Sequence, residues 1–331
     1  MNHRGWWAAP LAVLVMLVGC AHSGGTSDRA GGSTTTSNAA PTTVAPAIDY
    51  DPYAGTRPAV DPIGSVTTGT VRTADGRVRR YRLYVPAALP AGSRVPLLVA
   101  LHGGTGWGEQ FERNSGFDGL AESNRFIVVY PDGTNARADS TTLLTWNGGV
   151  CCGAAADRNV DDVGFIRALL DELERTQPID PARVFASGHS NGAILAYRLA
   201  CELSDRISAI GIQSGAIGVD CAPTRPVSVF HLHGLSDTNI PIDGGRGSGI
   251  AGVAFPSPRA APIAFASFDR CSSGPSDATD PANADITART WSTCVEGRMV
   301  RFVTVAGATH AWMGHPGAAA GGSTLVGIPY D

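Results

Sequence analysis

Apolar runs recur through the middle of the chain, at 97–101, 126–130, 184–186, 207–212, 227–232 and 300–305, with little of the in-out alternation of a half-exposed strand. Such runs suit strands buried on both faces. Between several of them the period changes to 3.6. Residues 162–175 set Val163, Ile166, Leu169, Leu170 and Leu173 along one stripe, and 193–203 form a second helix pattern. Upstream, 71–73 and 78–85 flank Ala74-Asp75-Gly76-Arg77, and Asp-Gly between alternating strands is a hairpin signal. The expected class is α/β: a mostly parallel central sheet flanked by helices, with an N-terminal antiparallel hairpin. No internal repeat or second boundary interrupts 48–331, which reads as one domain.

The N-terminus follows different rules. Arg4 precedes an apolar run over 8–18, too short for a comfortable membrane span, and the run ends in Leu17-Val18-Gly19-Cys20. Residues 1–19 read as a signal peptide of the bacterial lipoprotein kind, with Cys20 as the lipidation site and membrane anchor, placing the protein at the outer face of the cell membrane or beyond it. From 20 to 47 the chain is Ser, Thr, Gly, Ala and Pro with almost no large apolar side chain. That stretch cannot bury enough surface to fold, and as a coil it would span about 30 Å. The net charge of the 331 residues is -4, with no basic run, so nucleic acid is not an expected partner.

Setting Cys20 aside leaves Cys151, Cys152, Cys201, Cys221, Cys271 and Cys294, an even set suited to disulfides in an exported protein. Cys271 and Cys294 bracket a Gly/Pro/Asp-rich excursion and are expected to pair. The adjacent Cys151 and Cys152 do not readily bond each other, so each is expected to reach Cys201 or Cys221, in an order the spacing leaves open.

Candidate chemistry centres on Gly188-His189-Ser190-Asn191-Gly192, a G-x-S-x-G between a strand pattern and a helix pattern. That context makes Ser190 a candidate nucleophile on a sharp turn. A serine hydroxyl needs a base and donors for the oxyanion it creates. His310, just after the last strand, is the expected base, with His315 as its rival. Asp237, three residues beyond Gly234, is the expected carboxylate, with Asp243 as its rival. The loop Leu101-His102-Gly103-Gly104-Thr105 would lend a backbone N–H from Gly104 or Thr105, and Asn191 would lend the second.

Other clusters have plainer readings. His231 and His233 share one strand face, which raises the question of metal, yet no third ligand motif accompanies them and strand packing is the expected role; no metal site is assigned. Asp161 and Asp162 stand where a helix N-cap belongs. Trp107, Trp146 and Trp312 are candidates for a pocket wall, and Trp312, two residues past His310, is the one assigned to substrate.

In order along 67–315, L-H-G-G, W-N-G-G-V-C-C-G, N-V-D-D-V-G-F, G-H-S-N-G, H-L-H-G-x-x-D and T-H-A-W resemble the secreted esterase family that includes polyhydroxybutyrate depolymerases, feruloyl esterases and acetylxylan esterases. The layout is similar to that of mycobacterial-type lipoprotein members. The resemblance implies an α/β-hydrolase fold, no cofactor, and Ser190, Asp237 and His310 as a triad acting on carboxylic esters. Trp312-Met313-Gly314 departs from the family's Trp-Pro-Gly, and Ala193 stands where a second glycine is common. With no added polymer-binding module visible, small soluble, cell-envelope or plant-wall esters are the expected partners. An acyltransferase with the same triad and a non-catalytic binding lipoprotein are the alternatives.

If Cys20 carries the anchor, Cys20→Ser releases the protein from the membrane fraction of a bacterial host. Partitioning that ignores the substitution sinks the assignment.

Overall fold

The computed structural model describes residues 59–313, so the signal peptide 1–19, Cys20, the tether 20–47 and His315 lie outside the described residues. The chain enters through β1 (Ser65–Arg72) and β2 (Val78–Val85), paired antiparallel with Arg72 opposite Val78. Then come β3 (Val95–Leu101), α1 (Gly108–Ser115), α2 (Phe117–Asn124) and β4 (Ile127–Pro131). The next stretch carries α3 (Gly153–Asp157), α4 (Asp162–Thr176), β5 (Ile179–His189), α5 (Asn191–Glu202), β6 (Ala209–Gln213) and β7 (Ser228–Gly234). A two-stranded ribbon, β8 (Gly245–Arg246) and β9 (Ala254–Phe255), precedes α6 (Ala260–Phe268), β10 (Ser273–Thr279), β11 (Ile286–Ser292) and β12 (Val300–Val305).

Ten strands form one sheet in the order β1-β2-β4-β3-β5-β6-β7-β12-β11-β10. The stretch from β4 to β12 is parallel throughout, and each edge is an antiparallel hairpin. Leu97, Val99, Leu101, Ile127, Val129, Val184 and Ala186 are fully buried, as strands covered on both faces require. The far hairpin is among the elements that the sequence pattern did not announce. β11 alternates buried Ile286, Ala288 and Trp291 with exposed positions, but the Gly/Pro/Asp-rich composition around it reads as loop.

The two long helices differ in burial because they differ in pattern. α4 buries one stripe, Phe165, Ile166, Leu169, Leu170 and Leu173, each side chain contributing roughly 1.5–3 kcal/mol over exposure. α5 is apolar nearly all round, and Ala193 to Tyr197 are fully buried, so it lies under the sheet with Ser190 as its N-cap.

The disulfides correct one expectation. Cys271 pairs with Cys294 as expected, but Cys201 pairs with Cys221 and Cys151 with Cys152. Cys151 packs against Ile194 near the start of α5, whereas Cys201 sits seven residues further along that helix, about 10 Å at 1.5 Å per residue. Cys201 faces the loop after β6 instead, where Cys221 lies with its Cα 4.9 Å away.

The two adjacent aspartates divide their work. Asp161 caps α4 by accepting the Gly164 N–H at 2.8 Å. Asp162 is fully buried, accepts from Arg79 Nη2 at 2.7 Å and from the Asn147 N–H at 2.7 Å, and so ties β2 to the loop after Trp146. Burial pushes its carboxyl above the usual range against the pull of Arg79. Breaking one side of a buried pair strands the other charge. Asp162→Asn should cost roughly 3–5 kcal/mol in urea unfolding, and Asp161→Ala only about 1 kcal/mol. Equal losses would show that the pair is not holding the loop.

Candidate active site

β5 runs straight into α5, and the reversal between them falls on one residue. Ser190 has φ 54° and ψ −119°, a backbone region that ordinary side chains avoid. The turn is tight enough to need glycine on either side. A Cβ at Gly188 would meet the backbone of Gly192 at 2.5 Å, and one at Gly192 would run into the Leu101 and His102 carbonyl oxygens. The Ser190 N–H donates to the Gln213 carbonyl at 3.0 Å, which pins the turn to the end of β6.

The ends of β7 and β12 bring the other two residues to this turn. Asp237 lies three residues after β7 and His310 five after β12, strands that pair in parallel. His310 Nε2 is 2.8 Å from Ser190 Oγ, and His310 Nδ1 is 2.8 Å from Asp237 Oδ2. Asp237 is only 5% exposed, and its Oδ1 accepts the amides of Asn239 and Ile240 at 2.9 Å each. Its carboxyl is held below its usual range because the His310 hydrogen bond and charge, with the Ile240 amide, outweigh burial, itself the largest single influence. Asp243, the sequence rival, points elsewhere, 77% exposed and paired with Arg259 at 2.7 Å.

On the opposite side lies the loop after β3. The Thr105 N–H donates to the Leu144 carbonyl at 2.8 Å, so of the two donors expected there Gly104 is left. The Cβ position of Gly104 is 3.6 Å from the Asn191 Cβ, so the two residues flank the serine together. Asn191 opens α5, where an amide has no intrahelical acceptor. Its side chain is committed elsewhere, accepting the Trp146 N–H at 2.7 Å and donating to the Trp146 carbonyl at 2.9 Å.

A cleft of about 580 Å³ opens over these groups. Ile194, Ile240, Ile250 and Phe255 form its apolar wall with the Cys151–Cys152 bridge. Among the described residues no Asp, Glu, Lys or Arg side chain lines it. Ile250, in the loop between β8 and β9, stands 88% exposed at the lip.

Trp312 corrects the sequence reading. It is 6% exposed and packs edge-on against Phe111, Phe117 and His189 at 5.1, 5.9 and 5.8 Å, beneath the cleft and not in its wall. Trp146 is fully buried and donates from Nε1 to the His102 carbonyl at 3.0 Å, while Trp107 lines a separate groove with Tyr81 and Arg82. The residues that sequence reasoning passed over are those holding the loops. Gln213, at the end of β6, donates to the Ala311 carbonyl and accepts the Met313 N–H at 2.9 Å, which fixes the segment carrying His310. His189 donates from Nε2 to the His310 carbonyl at 2.7 Å. A glutamine or histidine next to a motif carries no periodic signal that would mark it out.

Comparison with known proteins points to esterases. A family model described as Esterase PHB depolymerase matches residues 79–242. NocK of Nocardia uniformis subsp. tsuyamanensis, described as an esterase, is 32% identical over 57% of this chain and 53% of its own length. Feruloyl esterase B of Piromyces equi is 26% identical over 70% of this chain and 42% of its own. The chain thus spans about half the length of the curated relatives it matches. Among solved structures, the acetyl xylan esterase from Aspergillus awamori superposes with TM-score 0.54 at 16% identity, covering 75% of this chain and 94% of that one. That likeness shows the fold: a large, mostly parallel sheet flanked by helices, of the α/β-hydrolase class.

The histidines beside the site, His102 fully buried and His189 half-buried, are pushed below their usual range. Burial pushes His102 down to about 4; its Nδ1–H donates to the Gly103 carbonyl at 2.8 Å, and Nε2 accepts the Gly133 N–H at 3.0 Å. Burial, then the charge of His310, pushes His189 down to about 3. An unfolded chain takes up these protons near pH 6.5. The unfolded state therefore binds more protons between pH 6.5 and the folded values, and the stability His102 contributes is full above 6.5 and lost as pH falls. Asp118, pushed up to about 7 by burial, and Asp269, to about 6, act in the opposite sense, so the test is a difference. The destabilisation caused by His102→Asn should shrink by about 1.4 kcal/mol for each pH unit below 6.5, followed by urea unfolding at pH 7, 6 and 5. A pH-independent difference would show that His102 is not held neutral by the fold.

Proposed function

We propose that this chain, whose residues 79–242 match the family model described as Esterase PHB depolymerase, hydrolyses carboxylic esters through a Ser-His-Asp triad and an acyl-enzyme intermediate. The observation that carries the reading is the unbroken line Ser190 Oγ, His310 Nε2, His310 Nδ1, Asp237 Oδ2, with 2.8 Å at both hydrogen bonds. His310 Nε2 takes the serine proton as Oγ attacks the ester carbonyl. Asp237 holds the imidazole by Nδ1–H and offsets the positive charge it gains. The carbonyl oxygen becomes an oxyanion facing the Gly104 and Asn191 amides, each worth about 3 kcal/mol in such sites. His310 then gives its proton to the leaving alcohol, and a water, deprotonated by the same nitrogen, releases the acid and restores Ser190. No step calls on a metal or cofactor.

The uncharged, apolar wall suits a neutral ester with an apolar or aromatic acyl group. Feruloyl esterase B among the relatives makes methyl ferulate the aromatic probe. The three disulfides suit an oxidising compartment. Export and lipid anchoring at Cys20 rest on the leader sequence, which would tether the enzyme to the outer face of the membrane.

The test uses the full chain exported by its host and assayed on p-nitrophenyl acetate, butyrate and octanoate and on methyl ferulate. Ser190→Ala should lower turnover on every substrate by roughly 10⁴-fold or more with the fold intact. Turnover that survives the substitution would overturn the reading.

A further inference from the structure

We propose that Tyr197, His231 and His233 form a buried chain of positioning residues that holds the Asp237 carboxylate in register with His310. The inference rests on the triad reading above.

A continuous line of hydrogen bonds runs from α5 through β7 to the cleft. Tyr197 Oη is 2.8 Å from His231 Nδ1, and His231 Nε2 is 3.0 Å from His233 Nδ1. His233 Nε2 lies 2.9 Å from the Ile240 carbonyl and 3.4 Å from Asp237 Oδ2. All three side chains are fully buried, so each proton must be placed within the protein.

The placement has one solution. A carbonyl and a carboxylate only accept, so His233 Nε2 carries its proton. A neutral imidazole has a single N–H, so His233 Nδ1 accepts, and the proton between the rings belongs to His231 Nε2. His231 Nδ1 then accepts from the Tyr197 hydroxyl. Every donor points toward Asp237. Burial keeps the His231 imidazole far below its usual range, lowers His233 and holds the phenol far above its own range, which preserves this neutral arrangement.

The charged and titratable neighbours are few. His310 and Arg259 hold His233 down, Asp237 pulls it up, and His233 acts on His231. Aromatic rings close the remaining sides, Phe302 of β12 against His231 at 5.1 Å and Phe265 of α6 against Tyr197 at 5.7 Å. The chain acts on the carboxylate through Ile240. His233 Nε2–H donates to the Ile240 carbonyl, and that residue's own N–H binds Asp237 Oδ1, while the imidazole edge stands 3.4 Å from Oδ2, the oxygen that His310 uses.

Simple strand packing would need the shape of these side chains but not their protons, and this separates the two roles. In His231→Phe the inter-ring donor is lost, and the His233 proton is free to move to Nδ1, leaving a lone pair facing Ile240 and Asp237. With the Ile240 carbonyl released, the Ile240 amide slackens on Oδ1 and a lone pair faces Oδ2, so the carboxylate is more basic and holds the His310 cation more strongly. The expected results for His231→Phe are a roughly tenfold lower kcat with KM unchanged, well short of the about 10⁴ lost when the carboxylate itself is replaced, and an acid limb of kcat/KM moved to higher pH. Tyr197→Phe should shift the limb in the same direction by less. His231→Gln, whose amide can accept from Tyr197 and donate to His233, should recover most of the rate and the native pH profile.

The assay is p-nitrophenyl butyrate hydrolysis from pH 5 to 9, with thermal unfolding alongside and Ser190→Ala as control. An unmoved acid limb in both His231→Phe and Tyr197→Phe overturns the chain, as does a rate loss that His231→Gln fails to restore. An active Ser190→Ala overturns the triad itself and the chain with it, whereas an inactive one beside unaffected chain variants rejects the chain alone.

Discussion

The backbone of Ser190 is the constraint on which the cleft depends. A non-glycine residue at φ 54° is held there at a cost of about 1–3 kcal/mol, so its surroundings must over-determine it. They do so from three directions. β6 accepts its amide through Gln213, α5 begins on its carbonyl through the Ile194 N–H at 3.0 Å, and β3 approaches so closely that residue 192 has no room for a side chain. The same approach puts the loop after β3 beside Asn191, so the position of Gly104 follows from that of the turn.

The segments that meet at the turn are loops, whose backbone groups have no ladder to satisfy them. Buried side chains supply the missing partners. His102 bridges Gly103 and Gly133, Asn191 clasps Trp146 by both its polar atoms, Gln213 holds Ala311 and Met313, and Asp162 takes the Asn147 amide. All but Asp162 are neutral, and Asp162 has Arg79 against it. A buried charge without a partner would cost more than the loop gains from being held. Side chains that bond backbone in this way fix donors and carbonyls where a reaction needs them, with little left to reorganise when charge develops.

What the sequence made legible follows from periodicity and spacing. The parallel strands and α4 announce themselves through runs and stripes, and the residues at strand ends were placed because the fold puts its chemistry there. Three features escaped for physical reasons. β10 and β11 form an edge hairpin; β10 is exposed along its whole length and both are rich in small polar residues, so no apolar run marks them. The Cys151–Cys152 pair depends on where Cys201 sits along α5, a distance that no count of cysteines contains. Trp312 was assigned to the cleft from its nearness to His310 in sequence, but its ring turns the other way, into a nest of phenylalanines. His231 and His233 read as strand packing, and they are packed; the hydrogen bonds that link them through Ile240 to Asp237 depend on which way each ring faces.

Under the proposed triad reading, chemistry and specificity come from different parts of this chain. Ser190, Asp237, His310 and Gly104 stand at or just beyond the ends of β5, β7, β12 and β3, strands locked together in the centre of the sheet. The cleft wall comes instead from the loop at 145–153, the ribbon region at 239–255 and one side chain of α5. Moving a strand end by an ångström would disturb the core on both faces, whereas Ile250, exposed at the lip, can change with little effect beyond the wall. A sheet of this class can therefore keep one reaction while its walls drift among ester substrates. For the same reason the motifs of this chain speak to the proposed reaction more clearly than to an acyl group, since apart from the Cys151–Cys152 pair the apolar wall residues lie outside them.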